Sequence, residues 1–164
     1  MKFTESYMYD APVTRVWDML SDPTFVKARN AGLEIPNPHV ESDAGESQIL
    51  TTTSGEVPPS MIPPAAQRFL KGNTKFVIHE EWRLVNSTKI HGTLKAQGQG
   101  VPASLSADVQ IVEVAGGSSK VTMNGDIKVN IPFLGAKLER QALGFAPRLI
   151  KADTEAASAW LSNH

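Results

Sequence analysis

Residues 74–98 read TKFVIHEEWRLVNSTKIHGTLKAQG, and their alternation decides the fold. In the first half, Phe76, Ile78, Glu80, Trp82 and Leu84 share one face, with Lys75, Val77, His79, Glu81 and Arg83 on the other. After Asn86-Ser87 the alternation resumes, with Ile90, Gly92, Leu94, Ala96 and Gly98 set against Lys89, His91, Thr93, Lys95 and Gln97. A period of two residues with one apolar face marks strands that bury one side and wet the other. Asn-Ser between them is turn chemistry. The stretch is therefore an antiparallel hairpin whose apolar face needs a cover.

Working outward, residues 104–114 place Leu105, Ala107, Val109 and Ile111 on one face. Residues 119–131 do the same with Val121, Met123, Gly125, Ile127, Val129 and Ile131. From about Leu134 the period changes. Leu138, Ala142, Phe145, Leu149, Ala152, Ala156 and Trp160 follow steps of three and four residues, which predicts a long amphipathic helix bent near Pro147. Toward the N-terminus, residues 2–9 alternate as a strand. Val13, Val16, Trp17 and Leu20 make a short helical stripe after Pro12, and Asp22-Pro23 opens a second short helix that ends near Gly32. Residues 33–43 and 46–54 read as two weaker strands around Asp43-Ala44-Gly45. Pro36 and Pro38 push the first of these to an edge or a late start. The run Val57–Pro64 is too rich in proline for regular structure and leads into a short helix over Ala65–Lys71 that presents Phe69 and Leu70.

This order predicts an α+β helix-grip fold. A curved, six- to seven-stranded antiparallel sheet wraps around a long C-terminal helix, with two short helices after the first strand, in one domain over residues 1–164. One helix is about 10 Å wide and does not fill the concave side of such a sheet. Small residues on that side (Gly92, Ala96, Gly98, Ala107 and Gly125) favour a cavity. Its expected lining from the sheet is Phe76, Ile78, Glu80, Trp82, Leu94, Leu105, Val109 and Met123. Phe69, Leu138, Ala142, Phe145 and Leu149 would close it from the other side.

The run from Tyr9 to Pro23, YDAPVTRVWDMLSDP, resembles the opening of the START-like superfamily, in which a strand ends in Ala-Pro, a Val-Trp helix follows, and Asp-Pro starts a second helix. The resemblance extends over nearly the whole chain. It is closest to an uncharacterised actinobacterial domain-of-unknown-function branch, through the Pro-rich segment before Phe69 and the Lys128–Gly135 sequence KVNIPFLG. The superfamily includes lipid-transfer START domains, pollen-allergen ligand binders of the Bet v 1 kind and polyketide aromatase/cyclases. The resemblance thus implies a helix grip that holds an apolar small molecule, while leaving the chemistry open.

Composition narrows the function classes. The 164 residues carry a formal net charge of -1 with no block of like charges, which argues against nucleic acid as a partner. No cysteine is present, so disulfides and thiolate chemistry are excluded. The first residues lack a signal-peptide core and no apolar run reaches spanning length, so the expectation is a cytoplasmic protein without stable membrane insertion. A monomer or weak homodimer is expected.

Candidate chemistry is sparse. His39, His79, His91 and His164 are the histidines, and none has the neighbours a metal site needs. Gly98-Gln99-Gly100 reads as a turn, because no helix follows it to hold a phosphate. No metal or cofactor is expected. Glu80 alone among the acids of residues 74–98 shares the apolar face. There it either meets a ligand as a desolvated acid of raised pKa, turns to water at a bulge, or pairs with a buried arginine. Glu5 poses the same question on the first strand. Three functions stay open. The leading expectation is a non-catalytic binder or carrier of a lipid, isoprenoid or polyketide-like molecule. The alternatives are a cyclase or aromatase using Glu80 to move protons, and a co-chaperone-like interaction module.

Overall fold

The computed structural model describes every residue except Lys71 and Asn73. Seven strands form one antiparallel sheet: β1 (Lys2–Tyr9), β2 (His39–Ala44), β3 (Gln48–Glu56), β4 (Lys75–Asn86), β5 (Lys89–Gln99), β6 (Ala103–Val114) and β7 (Ser118–Val129). Their spatial order is β1-β7-β6-β5-β4-β3-β2, so the first strand returns to pair with the last. β2 is an edge strand and begins after Pro36 and Pro38, whose missing N–H groups cannot enter a ladder.

Helices α1 (Val13–Leu20) and α2 (Pro23–Gly32) follow β1. Val13, Val16, Trp17, Met19 and Leu20 of α1 are buried. The Asp22 side chain caps α2 by accepting from the Thr24 N–H at 3.0 Å, and Pro23 fits the first turn because its missing donor is not needed there. The Pro-rich segment forms a 3-10 turn over Pro59–Met61 and a single α-helical turn, α3, over Pro64–Gln67. This turn ends sooner than the sequence suggests, and the Lys71 end of the expected helix lies outside the described residues. The C-terminal helix runs from Gly135 to Asn163 in two pieces, α4 (Gly135–Leu143) and α5 (Ala146–Asn163). The bend falls at Gly144-Phe145, and Pro147 takes a place in the first turn of α5, where its ring obstructs no preceding carbonyl.

Register sorts the inner face of the sheet into rows. One row is Ile49–Trp82–Gly92–Val109–Met123–Glu5. The next is Thr51–Glu80–Leu94–Ala107–Gly125–Phe3, and the one beyond it is Thr53–Ile78–Ala96–Leu105–Ile127. Ile49, Trp82 and Val109 of the first row belong to the main core, where α1, α2 and the C-terminal part of α5 pack Phe25, Met19, Ile49, Ile90 and Ile111 out of water, while Glu5 at the end of the row is half-buried. A second, smaller cluster of Ala66, Ile131 and Leu138 lies where α3 meets α4.

Two inner-face glycines serve this packing rather than leaving space. A Cβ on Gly92 would lie 2.4 Å from the Trp82 ring, and one on Gly125 would lie 2.4 Å from the Phe3 ring. Each aromatic side chain rests on the bare backbone of a neighbouring strand and fills the volume a side chain would take. Small residues at these two positions therefore do not open the cavity.

Gly92→Ala should destabilise the fold by about 1–3 kcal/mol, because the Trp82 indole has to leave its seat in a packed core. Urea unfolding measures this, and a variant as stable as the parent would show that the indole is not wedged there.

Candidate functional site

The middle inner-face row carries a buried ion network. Arg29 projects from α2 and its Nη2 donates to both Glu80 carboxylate oxygens, at 3.3 and 3.1 Å. Its Nη1 donates to Asp153 Oδ1 on α5 at 3.2 Å. The Tyr9 hydroxyl donates to the other Asp153 oxygen at 2.5 Å, and the Tyr7 ring packs edge-on against Tyr9 with centroids 5.7 Å apart. Loss of water works against the Arg29 charge, but the Glu80 and Asp153 carboxylates outweigh it and push its pKa above the ordinary guanidinium value. Burial, reinforced by the Asp153 carboxylate, pushes the Tyr7 and Tyr9 phenols up as well. Thr53 Oγ1 and Asn30 Nδ2 are buried without a hydrogen-bond partner among the described residues. Thr53 is one row from Glu80 and Asn30 follows Arg29 in the chain, while a third such atom, Gln141 Oε1, belongs to α4.

A cavity of about 230 Å³ lies beyond this network, at the α3–α4 end of the grip. The sheet gives it Phe76, Ala96, Gly98, Leu105, Ile127 and Val129. Met61, Ile62, Pro63, Ala66, Leu138 and Ala142 close it from the opposite side. No charged side chain lines it among the described residues. The Pro-rich segment thus forms a wall, and Arg148 of α5 holds it in place through a 2.8 Å bond from Nη1 to Ser60 Oγ. A second, shallow trench of about 570 Å³ crosses the outer face of β1, β7, β6 and β5. Its flanks are Lys2, Thr4, Thr93, Lys95, Asp108 and Asp126, and the two acids are occupied by His91 and the N-terminal ammonium.

The structure brings four of the residues expected from the sequence to the cavity: Phe76, Leu105, Leu138 and Ala142. The others stand elsewhere. Trp82 and Val109 are buried in the main core, and Met123 packs against it. Ile78 and Leu94 lie on the inner face but do not line the cavity, and neither does Phe145. Phe69 and Leu149 are each 40% exposed. Glu80 is 4% exposed and buried as an ion pair, the arginine alternative of the sequence reading. Of the histidines, His79 meets Thr52 and His91 meets Asp108 on the outer face, and they do not pair with each other. The Pro58–Pro64 run, which the sequence leaves open between a lid beside the cavity mouth and a rigid surface loop, lines the cavity through Met61, Ile62 and Pro63. Sequence reasoning missed the partnership of Arg29 with Asp153. A lone arginine on the second helix and an aspartate on the apolar stripe of the last helix were the available signals.

Open sheet, bent C-terminal helix and two short helices after β1 define a START-like helix-grip fold. Solved structures agree. A START superfamily protein from Mycobacterium smegmatis superposes with a TM-score of 0.59 at 16% identity, covering 97% of this chain and 98% of that one. A conserved protein from Geobacillus kaustophilus gives 0.63 at 17% identity over 99% and 96% of the two chains. Norcoclaurine synthase from Thalictrum flavum gives 0.59 at 14% identity over 100% and 87%, and another structure of that enzyme holds dopamine and hydroxybenzaldehyde. At these identities the likeness establishes the fold alone. Residues 4–161 match the family described as protein of unknown function DUF2505, and the chain belongs to that family. No curated protein matches significantly.

Arg29→Met should cost about 3–5 kcal/mol in urea unfolding, because it strands two buried carboxylates. Replacing Glu80 and Asp153 with Leu in the same chain should recover most of that loss, and no recovery would mean that the three do not act as one unit. Tyr7 and Tyr9 are the only tyrosines in the chain, and both have raised native pKa values. Their stabilising contribution is intact below the unfolded value of about 10 and is lost as pH rises above it. Phenolate absorbance should therefore appear only together with alkaline unfolding. Titration near pH 10 in the folded protein would contradict the buried network.

Proposed function

We propose that this protein binds or carries an apolar small molecule in the cavity at the α3–α4 end of the grip. The observation that carries the reading is a space of about 230 Å³ with apolar walls and no charged side chain among the described residues. Water gains little in such a space, whereas a hydrocarbon gains roughly 0.8 kcal/mol for each methylene transferred. A chain of about eight methylenes would gain roughly 6 kcal/mol before the costs of ordering. The volume lies below the ~300–1,000 Å³ usual for drug-sized ligands, so the occupant is small or leaves part of itself outside. A lipid tail, an isoprenoid or a polyketide-like chain with one end buried fits this description.

The alternative of a cyclase needs a buried acid facing the bound molecule. Glu80 does not line the cavity, and both of its oxygens are engaged by Arg29. The binding reading therefore has the better support.

Gentle purification followed by native mass spectrometry and organic extraction should yield a co-purified apolar molecule. Ala142→Phe, which fills the cavity from α4, should weaken binding of the apolar fluorophore 1-anilinonaphthalene-8-sulfonate at least about tenfold, the loss of roughly two buried methylenes' worth of contact. No ligand, together with unchanged fluorophore affinity in this variant, would defeat the proposal.

A further inference from the structure

Two large apolar side chains near the cavity reach water, one of them wholly. Phe133 is fully exposed and Phe69 is 40% exposed. Both follow closely in the chain on residues of the Ala66, Ile131 and Leu138 cluster. Phe69 follows Ala66 by one turn, its N–H donating to the Ala66 carbonyl at 2.9 Å, and Phe133 follows Ile131 by two residues. Ala66, Ile131 and Leu138 all line the cavity. Phe133 also holds φ at 66°, a region that bulky residues avoid. A strained backbone presenting a bare phenyl ring to water is unfavourable for stability and points to a use outside the folded chain.

Charge identifies what that use is. The chain as a whole is at -1, but the rim is basic. Residues 128–148 contain Lys128, Lys137, Arg140 and Arg148 against one acid, Glu139. That acid is taken by the N-terminal ammonium and the Val129 N–H. Residues 57–70 contain Arg68 and no acid. The Arg68 guanidinium stands 5.0 Å from the centre of the Phe69 ring. Lys137 and Arg140 are exposed, one turn apart on α4, and neither forms an ion pair among the described residues.

We propose that this rim docks on an anionic lipid bilayer, with Phe69 and Phe133 entering the interfacial layer and Arg68, Lys137 and Arg140 meeting the headgroups. Aromatic rings and cations side by side are the pairing that interface rewards. A nucleic-acid duplex would use the cations but leave Phe133 idle, because its bases are already stacked on one another. No helix among the described residues is long and apolar enough to span a membrane, so the contact is at the surface. The mouth of the cavity then faces lipid. The docking itself does not require the cavity to hold a ligand.

The test is co-sedimentation of the full chain with vesicles of phosphatidylcholine, and with vesicles of phosphatidylcholine mixed with phosphatidylglycerol. Binding is expected to the mixed vesicles and to weaken as salt rises. Lys137→Gln and Arg140→Gln should each reduce it about fivefold, and Phe133→Ser about tenfold. These positions are exposed, so unfolding midpoints should not fall. Phe133→Ser should keep its affinity for 1-anilinonaphthalene-8-sulfonate in solution, which separates docking from the cavity reading. Absence of binding to the mixed vesicles overturns the proposal. So does binding that Phe133→Ser leaves intact, since that marks a plain polyanion surface. A concentration-dependent dimer abolished by Phe133→Ser, without vesicle binding, would assign the patch to a second copy of the chain.

Discussion

One guanidinium sets the relation of the helices to the sheet. Arg29 of α2 reaches Glu80 on β4 and Asp153 on α5, and Tyr9 of β1 completes the second contact. Taking three charges out of water is expensive, and an apolar trio of equal volume would serve stability at least as well. What the network supplies is placement, since a hydrophobic contact can slide and a forked set of hydrogen bonds cannot. It sits on the middle row of the inner face and divides the interior in two.

On one side of that row the interior is dense. Trp82 rests on Gly92 there, and within the middle row itself Phe3 covers Gly125, so aromatic rings occupy what bare backbone leaves open. On the other side, Ala96 and Gly98 contribute little volume to the cavity wall, and the cover consists of the Pro-rich segment, α3 and α4. Helix α5 contributes no residue to the lining, since the chain bends at Gly144-Phe145, and touches the wall only from outside through Arg148 and Ser60. The cavity is thus what remains where a helical lid gives way to a proline-stiffened one. Beside it Phe133, Lys137 and Arg140 are exposed, and neither cation forms an ion pair among the described residues.

Much of the fold was legible in the sequence. The four alternating runs between residues 74 and 131 all became strands, and the proline pair Pro36 and Pro38 correctly demoted β2 to an edge. Asp22-Pro23 announced the start of α2 through its own capping chemistry. The site was legible only in part. Phe76, Leu105, Leu138 and Ala142 meet at one cavity, whereas Trp82 and Val109, on the same apolar faces, went to the core. Alternation assigns a side chain to a face but does not say how much space stands above it.

The sequence by itself determined which residues form strands and helices, and which side of each is apolar. Those are periods of 2 and 3.6 residues, written into neighbours along the chain. Tertiary structure alone decided the partner of Glu80, 51 residues from Arg29, and of Asp153, 124 residues from it. It alone decided that the glycines near Trp82 and Phe3 are filled, that the cavity lies at the α3–α4 end, and that Phe133 faces water. Each of these depends on volumes and charges meeting across distant segments, and no local pattern records that.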